Sequence, residues 1–263
     1  MAKTIITLNT KGGSGKTTIS TQVLPVLFAG TDAEIKIYEL DNNNNTKLKN
    51  SSLDFETMRA DESEDTIFGV GFDAEEDSNI VNIVDAGGGD DTLKVLAGVK
   101  EADIKNATYV IPVNDDIEQI DNAIQTIAEI KKFQANADIV MILNRAILSD
   151  NIEKSIKEQF IGLFGSADYD LPDMTKNKIF TGVKIAYVAN SKIFGIAKNI
   201  YQTTLADIYP TNKELLENID THKAEWRSKG KEVYIDSMKK KRIADEVVSL
   251  VDSFAPLKKM MGV

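Results

Sequence analysis

The chain has 263 residues, 42% of them hydrophobic and 27% charged, which is the composition of an ordinary folded protein rather than of a disordered one. It contains no cysteine, so disulfides, thiolate metal sites and iron–sulfur clusters are excluded within these residues. Its formal net charge of −10 repels nucleic acids and anionic lipids, so any contact with them has to be local.

The first predicted element is a strand at Thr4–Leu8, a short run rich in β-branched residues. The next stretch, N-T-K-G-G-S-G-K-T-T at 9–18, is rich in glycine and leads into an apolar pattern of helical spacing. Adjacent glycines let successive backbone N–H groups point at one anion, and the start of the following helix adds its dipole. This order of strand, loop and helix predicts a phosphate-binding loop; a glycine-rich turn with two solvated lysines is the alternative.

The polar side chains of this loop suit a nucleotide that carries Mg²⁺. Lys16 is placed to reach the β- and γ-phosphates, and the hydroxyl of Thr17 is placed to bind the metal. The usual pattern, G-x-x-x-x-G-K-[ST], has glycine where this chain has Thr10, which is followed by a second lysine, Lys11.

The variant K-G-G-x-G-K-T-T resembles the deviant Walker A loop of the ParA/MinD superfamily of P-loop ATPases, and most of all the ParA-type DNA-partition ATPases. The resemblance implies that Lys11 contacts phosphate across a homodimer with ATP between its subunits. It also implies a nucleotide site formed by Lys11, Gly12, Gly13, Ser14, Gly15, Lys16, Thr17 and Thr18. The absence of cysteine argues against the iron–sulfur members of the superfamily.

The next strand is predicted at Glu34–Asp41, after a first helix that we expect to kink or end early at Pro25. Its final carboxylate lies at the edge of the sheet where α/β proteins bind ligands. By resemblance to the superfamily motif D-x-D-P-Q, Asp41 would orient the attacking water, whereas Glu39 replaces an aspartate and Asn42-Asn43 replaces Pro-Gln. A solvated acidic turn, continued to Asn45, is the alternative.

Residues 54–78 are rich in Asp and Glu, with Arg59 as the only base, so we expect a solvated or flexible insertion. A partner-facing or lid segment is the alternative. The apolar run Ile80–Asp85 ends in an acid, as in Walker B strands, and predicts that Asp85 holds Mg²⁺ together with Thr17. Gly87 and Gly88 replace the prolines of the superfamily pattern D-T-P-P, so we expect a more mobile loop beside the γ-phosphate.

Three further apolar strands are predicted, at 108–113, 139–143 and 183–188, with amphipathic helices at 117–133 and 152–164. The pattern predicts an α/β fold with a doubly wound, mainly parallel sheet flanked by helices. By resemblance, Asn144 contacts the adenine base with Arg145 beside it, and residues 189–195 close around base and ribose. A plain turn at the strand end is the alternative for Asn144.

The tail from 212 to 254 is charged and helix-forming, with Gly230 as a break between two helices. It carries a run of four bases, which predicts a DNA-backbone contact, with an exposed helix face as the alternative. The run is Lys239, Lys240, Lys241 and Arg242. The last residues, 255–263, place Leu and Met beside two lysines and resemble a short MinD-type membrane-targeting helix.

We therefore predict a P-loop ATPase domain at 1–210 and a helical C-terminal extension at 211–263. The resemblance implies a Mg²⁺-dependent ATPase with slow turnover, in which Lys11, Lys16 and Asp41 serve catalysis. It would dimerise with ATP, bind DNA non-specifically and partition a plasmid or chromosome locus through a ParB-like adaptor. The alternatives are a MinD-like membrane-associated positioning ATPase and a nucleotide-binding interaction protein with weak hydrolysis. No leader or membrane span is evident, so we expect a cytoplasmic protein, nucleoid-associated if it binds DNA.

Overall fold

The structure, a computed structural model, describes residues 3–42, 48–76 and 79–263. Within this part of the chain seven strands form one sheet in the order β3-β2-β4-β1-β5-β6-β7. The strands are β1 (Lys3–Thr7), β2 (Glu34–Leu40), β3 (Asp54–Met58), β4 (Ile80–Ala86), β5 (Thr108–Val113), β6 (Asp138–Ala146) and β7 (Val183–Ala189). Every neighbouring pair is parallel, so the prediction of a doubly wound, mainly parallel α/β sheet is confirmed.

The helices are α1 (Lys16–Thr18), α2 (Leu24–Leu27), α3 (Glu64–Glu75), α4 (Asp90–Glu101), α5 (Ile117–Phe133), α6 (Ile152–Gln159), α7 (Ile161–Phe164), α8 (Lys192–Gly195), α9 (Leu205–Glu217), α10 (Ile219–Ser228), α11 (Lys231–Asp252) and α12 (Ala255–Met260). Segments Ile19–Val23 and Ile196–Tyr201 are π-helical, and short 3-10 helices lie at Ala60–Glu62, Ala167–Tyr169, Met174–Lys176 and Lys178–Phe180. Pro25 lies in the first turn of α2, directly after the π-helical segment, and the helix ends at Leu27. Because Pro25 has no N–H to donate, it interrupts the helical bonding on its upstream side, where we expected a kink or an early end. Gly230 separates α10 from α11 as predicted.

The chain divides into two compact units. The first comprises residues 1–21, 32–46 and 53–190 and contains the whole sheet. Its core lies on the two faces of that sheet, where side chains such as Tyr109, Ile127 and Phe160 are fully buried. Strands covered on both faces explain the uninterrupted apolar runs of the sequence.

The second unit comprises residues 22–31, 47–52 and 191–263 and has its own buried side chains, among them Leu24, Leu205, Val247 and Phe254. The boundary predicted between 210 and 211 falls inside α9, and the structure moves it to 190/191.

A capping box at Thr204 and Asp207 fixes the start of α9 in this second unit. The backbone N–H and hydroxyl of Ser52 also donate to Asp207 Oδ1, at 2.9 and 2.6 Å. Burial by itself would raise the pKa of Asp207, but the hydrogen bonds from Ser52 and Thr204 outweigh it and lower the pKa to about 2.

The acidic stretch forms regular structure, so the prediction of a flexible insertion is wrong for residues 54–76. β3 pairs with β2 as the edge strand of the sheet, and α3 buries Ile67 and Val70 against the core. Residues 77 and 78, like 43–45 of the predicted turn, lie outside the described residues.

Within the described residues no helix has the length and apolar character needed to cross a membrane. In the C-terminal helix α12 and just after it, Leu257 and Met261 are 1% and 3% exposed, and Met260 is partly buried. Two of the three apolar side chains compared with a membrane-targeting helix are therefore packed inside the protein.

Candidate functional site

The glycine-rich loop, residues 9–15, leaves β1 at the carboxyl edge of the sheet. There Thr7 lies between Asp85 of β4 and Val110 of β5, in the middle of the strand order where a doubly wound sheet binds its ligands. Gly13 and Gly15 have φ values of +78° and +98°, which suit glycine alone. The loop therefore makes its turn at glycine positions and then enters α1 at Lys16.

Asparagines that follow β1 and β5 hold this loop in place. Asn9 donates through Nδ2 to the Pro112 carbonyl at 2.9 Å, and Asn114 donates through Nδ2 to the Gly13 carbonyl at 3.1 Å. The backbone N–H of Lys11 donates to Asn9 Oδ1 at 3.0 Å. The sequence analysis missed Asn9 and Asn114; their position just after β1 and β5 was the available signal.

Lys16 lies inside the loop, 8% exposed. Its Nζ donates to the carbonyl oxygens of Asn9 at 3.1 Å and Lys11 at 3.3 Å. Burial lowers the pKa of Lys16, and the carboxylates of Asp85, Asp41 and Asp91 oppose that shift. A buried cation that faces backbone carbonyls and three carboxylates is placed to receive an anion from the loop side.

Lys11, the second lysine, has a different environment. Its Nζ lies 2.6 Å from Oε1 of Glu118 in the first turn of α5, and both side chains are largely exposed, at 39% and 64%. The hydrogen bond to Glu118 raises the pKa of Lys11. The charge of Lys11 is thus directed to a neighbouring carboxylate rather than into the loop.

Thr17 and Asp85 lie together, as predicted for a metal pair. Thr17 is near enough to the Asp85 carboxylate to lower its pKa, and the Ser20 hydroxyl donates to Asp85 Oδ1 at 3.1 Å. Burial is the main influence that raises the pKa of Asp85, and the neighbouring carboxylate of Glu39 acts in the same direction. Thr17, Lys16 and Ser20 oppose them, and the net pKa is about 7. Hydroxyl and carboxylate oxygens side by side are the ligands that Mg²⁺ prefers.

Asp41 follows β2, and its N–H donates to the Met58 carbonyl at 3.2 Å. The next residue, Asn42, is held by Asp91 of α4, which the sequence analysis did not single out. Asp91 is 5% exposed and accepts from the Asn42 backbone N–H at 3.0 Å and from Asn42 Nδ2 at 2.5 Å. The turn that carries Asp41 is therefore fastened to the first turn of α4.

The glycines after Asp85 lie directly against the turn that carries Asp41, the start of α4 and the glycine-rich loop. A Cβ on Gly87 would be 2.7 Å from Asp91 Oδ2 and 3.1 Å from Asp41 Cγ. The N–H of Gly87 donates to the Leu40 carbonyl at 2.8 Å, and the N–H of Gly89 donates to the Thr10 carbonyl at 2.6 Å. Where a more mobile loop was expected, the structure shows one that is hydrogen-bonded on both sides.

Asn144 is buried at the end of β6, and the structure places its side chain against the loop. Its Nδ2 donates to the Ser14 carbonyl at 3.0 Å, and its Oδ1 accepts from the Arg145 N–H at 3.0 Å. A Cβ on Gly15 would be 2.0 Å from Asn144 Nδ2, so this contact requires glycine there. Arg145 is exposed and has a φ of +59° in an irregular part of β6.

The four-base run lies in α11 of the second unit. Lys239 pairs with Asp236 at 2.8 Å and Lys241 pairs with Asp245 at 2.6 Å. Consecutive helix residues point about 100° apart, so the four side chains do not share one face. Two of the four charges already have carboxylate partners, and Lys239, Lys240 and Arg242 are exposed.

The described residues fit a nucleotide phosphate chain with its Mg²⁺. The buried hydroxyl of Ser14, which can donate to a phosphate oxygen, has no hydrogen-bond partner within the part of the chain described. At Gly12 and Gly13 an added Cβ would meet nothing within 4 Å, so the space beside the loop is open. Thr18 completes α1 and is partly buried. Backbone N–H groups, Lys16, Thr17 and Asp85 together supply the donors and oxygens that such a ligand needs.

A family model described as the CobQ/CobB/MinD/ParA nucleotide binding domain matches residues 5–176. No curated protein sequence matches the chain. Among solved structures, the chain is similar to apo McdA of Cyanothece, with 14% identity, a TM-score of 0.50, and coverage of 76% of this chain and 91% of that one. It is likewise similar to the MinD cell division protein of Aquifex aeolicus, with 16% identity, a TM-score of 0.50, and coverage of 76% and 87%. At such identities the likeness to solved structures shows the fold alone.

Proposed function

This chain belongs to the CobQ/CobB/MinD/ParA nucleotide-binding family, since the match spans more than half of it, and from that premise we propose that it is an ATPase used as a switch. In this proposal loop 9–18 binds Mg·ATP, the ATP state forms a homodimer, and slow hydrolysis returns the protein to its monomer. One observation carries the proposal: buried Lys16, the Thr17–Asp85 pair and the open glycines converge on one point at the carboxyl edge of the sheet.

Phosphoryl transfer needs little covalent chemistry from the protein and depends on positioned charge. We assign Lys16 to the phosphates, Thr17 and Asp85 to Mg²⁺, and Asp41 to the attacking water. Lys11 would exchange its carboxylate partner Glu118 for phosphate. An ion pair this exposed to solvent is weak, so it does not prevent the exchange.

For the output of the switch we propose non-specific DNA binding by the second unit, with a ParB-like adaptor and a plasmid or chromosome locus as cargo. Charge supports this choice. Residues 191–263 contain 13 Lys and Arg against 10 Asp and Glu, a net charge of +3, whereas residues 1–190 have a net charge of −13. This difference in charge favours the C-terminal part of the chain over the rest as the place where nucleic acid binds. Because Leu257 and Met261 are buried, we do not propose membrane docking.

The test is binding to random-sequence duplex DNA at low salt with Mg·ATP, with Mg·ADP and without nucleotide. One variant neutralises Lys239, Lys240 and Arg242 to glutamine. A matched control neutralises three exposed lysines of the first unit, Lys132, Lys154 and Lys157.

ATP-selective, salt-sensitive binding that is lost in the α11 variant and kept in the control supports DNA partition. Absence of DNA binding in every nucleotide state refutes it.

A further inference from the structure

Helix α3, in the acidic stretch, is held rigidly on its inner side. Ile67 and Val70 are 3% and 2% exposed and belong to the core of the first unit. Gly98 makes the close approach of α3 to α4 possible, because a Cβ there would be 2.7 Å from Ile67 Cδ1. A Cβ on Gly71 would be in ordinary van der Waals contact, 3.4 Å from the Ala102 carbonyl oxygen. The outward side of α3 is therefore presented on a fixed support.

That outward side carries two aromatic rings one helical turn apart. Phe68 is 38% exposed and Phe72 is 67% exposed. Residues at i and i+4 are neighbours on a helix surface, so the rings form one apolar patch rather than two isolated ones. Large aromatic side chains gain most from burial at an interface.

A shallow gap lies beside the rings, at Gly69. A Cβ there would meet nothing within 4 Å, so no packing inside the protein requires this glycine, in contrast to Gly98. Glycine in a helix costs stability relative to alanine. Because Gly69 has no side chain, the helix surface next to Phe68 and Phe72 has a gap into which a partner's side chain or backbone fits.

The same face is strongly acidic. Between residues 54 and 76 the chain has nine Asp and Glu and one base, Arg59. Asp65, Glu75 and Glu76 are exposed, and the last turn of α3 contains no basic residue. Carboxylates at the C-terminal end of a helix add to the negative pole of its dipole, so this end attracts cations. Nucleic acids and anionic membranes are repelled by the same charges.

We propose that the outward face of α3, centred on Phe68 and Phe72, is the docking surface for a cationic amphipathic helix of a protein partner. Apolar side chains of that helix cover the two rings and enter the gap at Gly69. Its Lys and Arg side chains reach Asp65, Glu75 and Glu76, and also contact the faces of the rings. None of the residues of this surface belongs to the nucleotide loop, and its use does not depend on hydrolysis.

The probe is a labelled synthetic helix of about five turns, with leucines along one side and lysines along the other. A second peptide has glutamate in place of every lysine. Binding is followed by fluorescence anisotropy in the absence of nucleotide, so that the result is the same whether or not the protein is an ATPase. Failure of the proposed function and failure of this inference are thereby distinguished.

Three variants are compared with the wild type, after thermal unfolding has shown that each is folded. Phe68→Ser/Phe72→Ser is expected to weaken binding of the lysine peptide by at least about 10-fold, because it removes the centre of the interface. Asp65→Asn/Glu76→Gln leaves the rings in place and is expected to weaken binding about 3-fold and to reduce its salt dependence. Tyr169→Ser/Ile200→Ser, which removes two side chains that are 71% and 69% exposed elsewhere, is the matched control and should bind as the wild type does.

Equal affinity of the phenylalanine variant and the wild type overturns the proposal, and so does equal binding of the glutamate peptide. Sedimentation velocity adds a further outcome. Nucleotide-free self-association that the Phe68→Ser/Phe72→Ser variant abolishes would assign this face to a second copy of the chain instead, and would overturn the assignment to a separate partner.

Discussion

Replacing Gly87 with alanine puts a methyl group where two site carboxylates already lie. The added Cβ would be 2.7 Å from Asp91 Oδ2, 2.9 Å from Asp91 Cβ and 3.1 Å from Asp41 Cγ. Ordinary van der Waals contact begins at 3.4 Å, so Asp91 has to move by about 0.7 Å. That displacement loosens the two hydrogen bonds by which Asp91 holds Asn42, and with them the position of Asp41.

The expected cost follows from these contacts. Overpacking of this kind costs about 1–3 kcal/mol, and weakening hydrogen bonds to a buried carboxylate adds to it, so the free energy of unfolding should fall by about 2–3 kcal/mol. If Asp41 places the attacking water, a shift approaching 1 Å should also lower kcat for ATP about 10- to 100-fold. The affinity for ATP should change much less, because Lys16 and Thr17 are not displaced.

Urea unfolding and phosphate release measure the two effects in wild type, Gly87→Ala, Asp91→Gly and the double variant. The glycine at position 91 removes both of the closest contacts, so alanine at 87 should cost at least about 1 kcal/mol less in that background. Gly69→Ala is the matched control, because its Cβ meets nothing and its helical backbone suits alanine; it should stabilise the protein by about 0.5–1 kcal/mol.

Two results would refute this reasoning. One is a Gly87→Ala protein with the urea midpoint and kcat of the wild type. The other is a penalty for alanine at 87 that is the same with aspartate and with glycine at position 91, since the carboxylate would then have no part in it.

The remaining predictions concern the loop, the second unit and the exposed lysine. Gly15→Ala should abolish Mg·ATP binding in calorimetry, because its Cβ would overlap Asn144 Nδ2 at 2.0 Å and the φ of +98° disfavours alanine; binding near the wild-type level would contradict the loop geometry. Asp207→Asn should lower the free energy of unfolding by about 1–2 kcal/mol at pH 7, a figure that allows for solvent screening. The pKa of Asp207 is lowered to about 2 in the folded state, so this stabilisation is present above the unfolded pKa of about 4 and is lost as the pH falls toward 2. In urea unfolding, the difference in free energy of unfolding between wild type and variant should therefore be smaller at pH 3 than at pH 7. An equal difference at both pH values would exclude the charge of Asp207 as its source. Glu118→Gln should strengthen ATP-dependent dimerisation about 2- to 5-fold by releasing Lys11, with unchanged stability; weaker dimerisation in sedimentation would contradict this.

Much of the fold could be predicted because the signals were local. The apolar runs that became β4, β5 and β6 are buried on both faces, and α5 begins and ends at the residues its periodicity indicates, Ile117 and Phe133. The missed pair, β3 and α3, gave no such signal. An edge strand has few apolar positions, and α3 contains two glycines that lower its helix propensity.

The candidate site, like the fold, could be predicted only where the signal was local. The loop and its lysines are contiguous, so their sequence order was enough to predict the anion site. The side chains that position them are distant in sequence: Asn9 donates to Pro112, 103 residues away, and Asp91 fastens Asn42 across 49 residues. Such pairings depend on strand order. The assembly of the second unit from 22–31, 47–52 and 191–263 depends on tertiary packing that no local pattern contains.

The most direct test of the switch is sedimentation velocity of the wild type and of Lys16→Ala with Mg²⁺ and either a non-hydrolysable ATP analogue or ADP. The account predicts a wild-type dimer with the ATP analogue only, and a Lys16→Ala protein that stays monomeric with either nucleotide, because the buried lysine is the cation that faces the phosphates. A Lys16→Ala protein that dimerises with the ATP analogue as fully as the wild type would contradict the assignment of this loop as the nucleotide site.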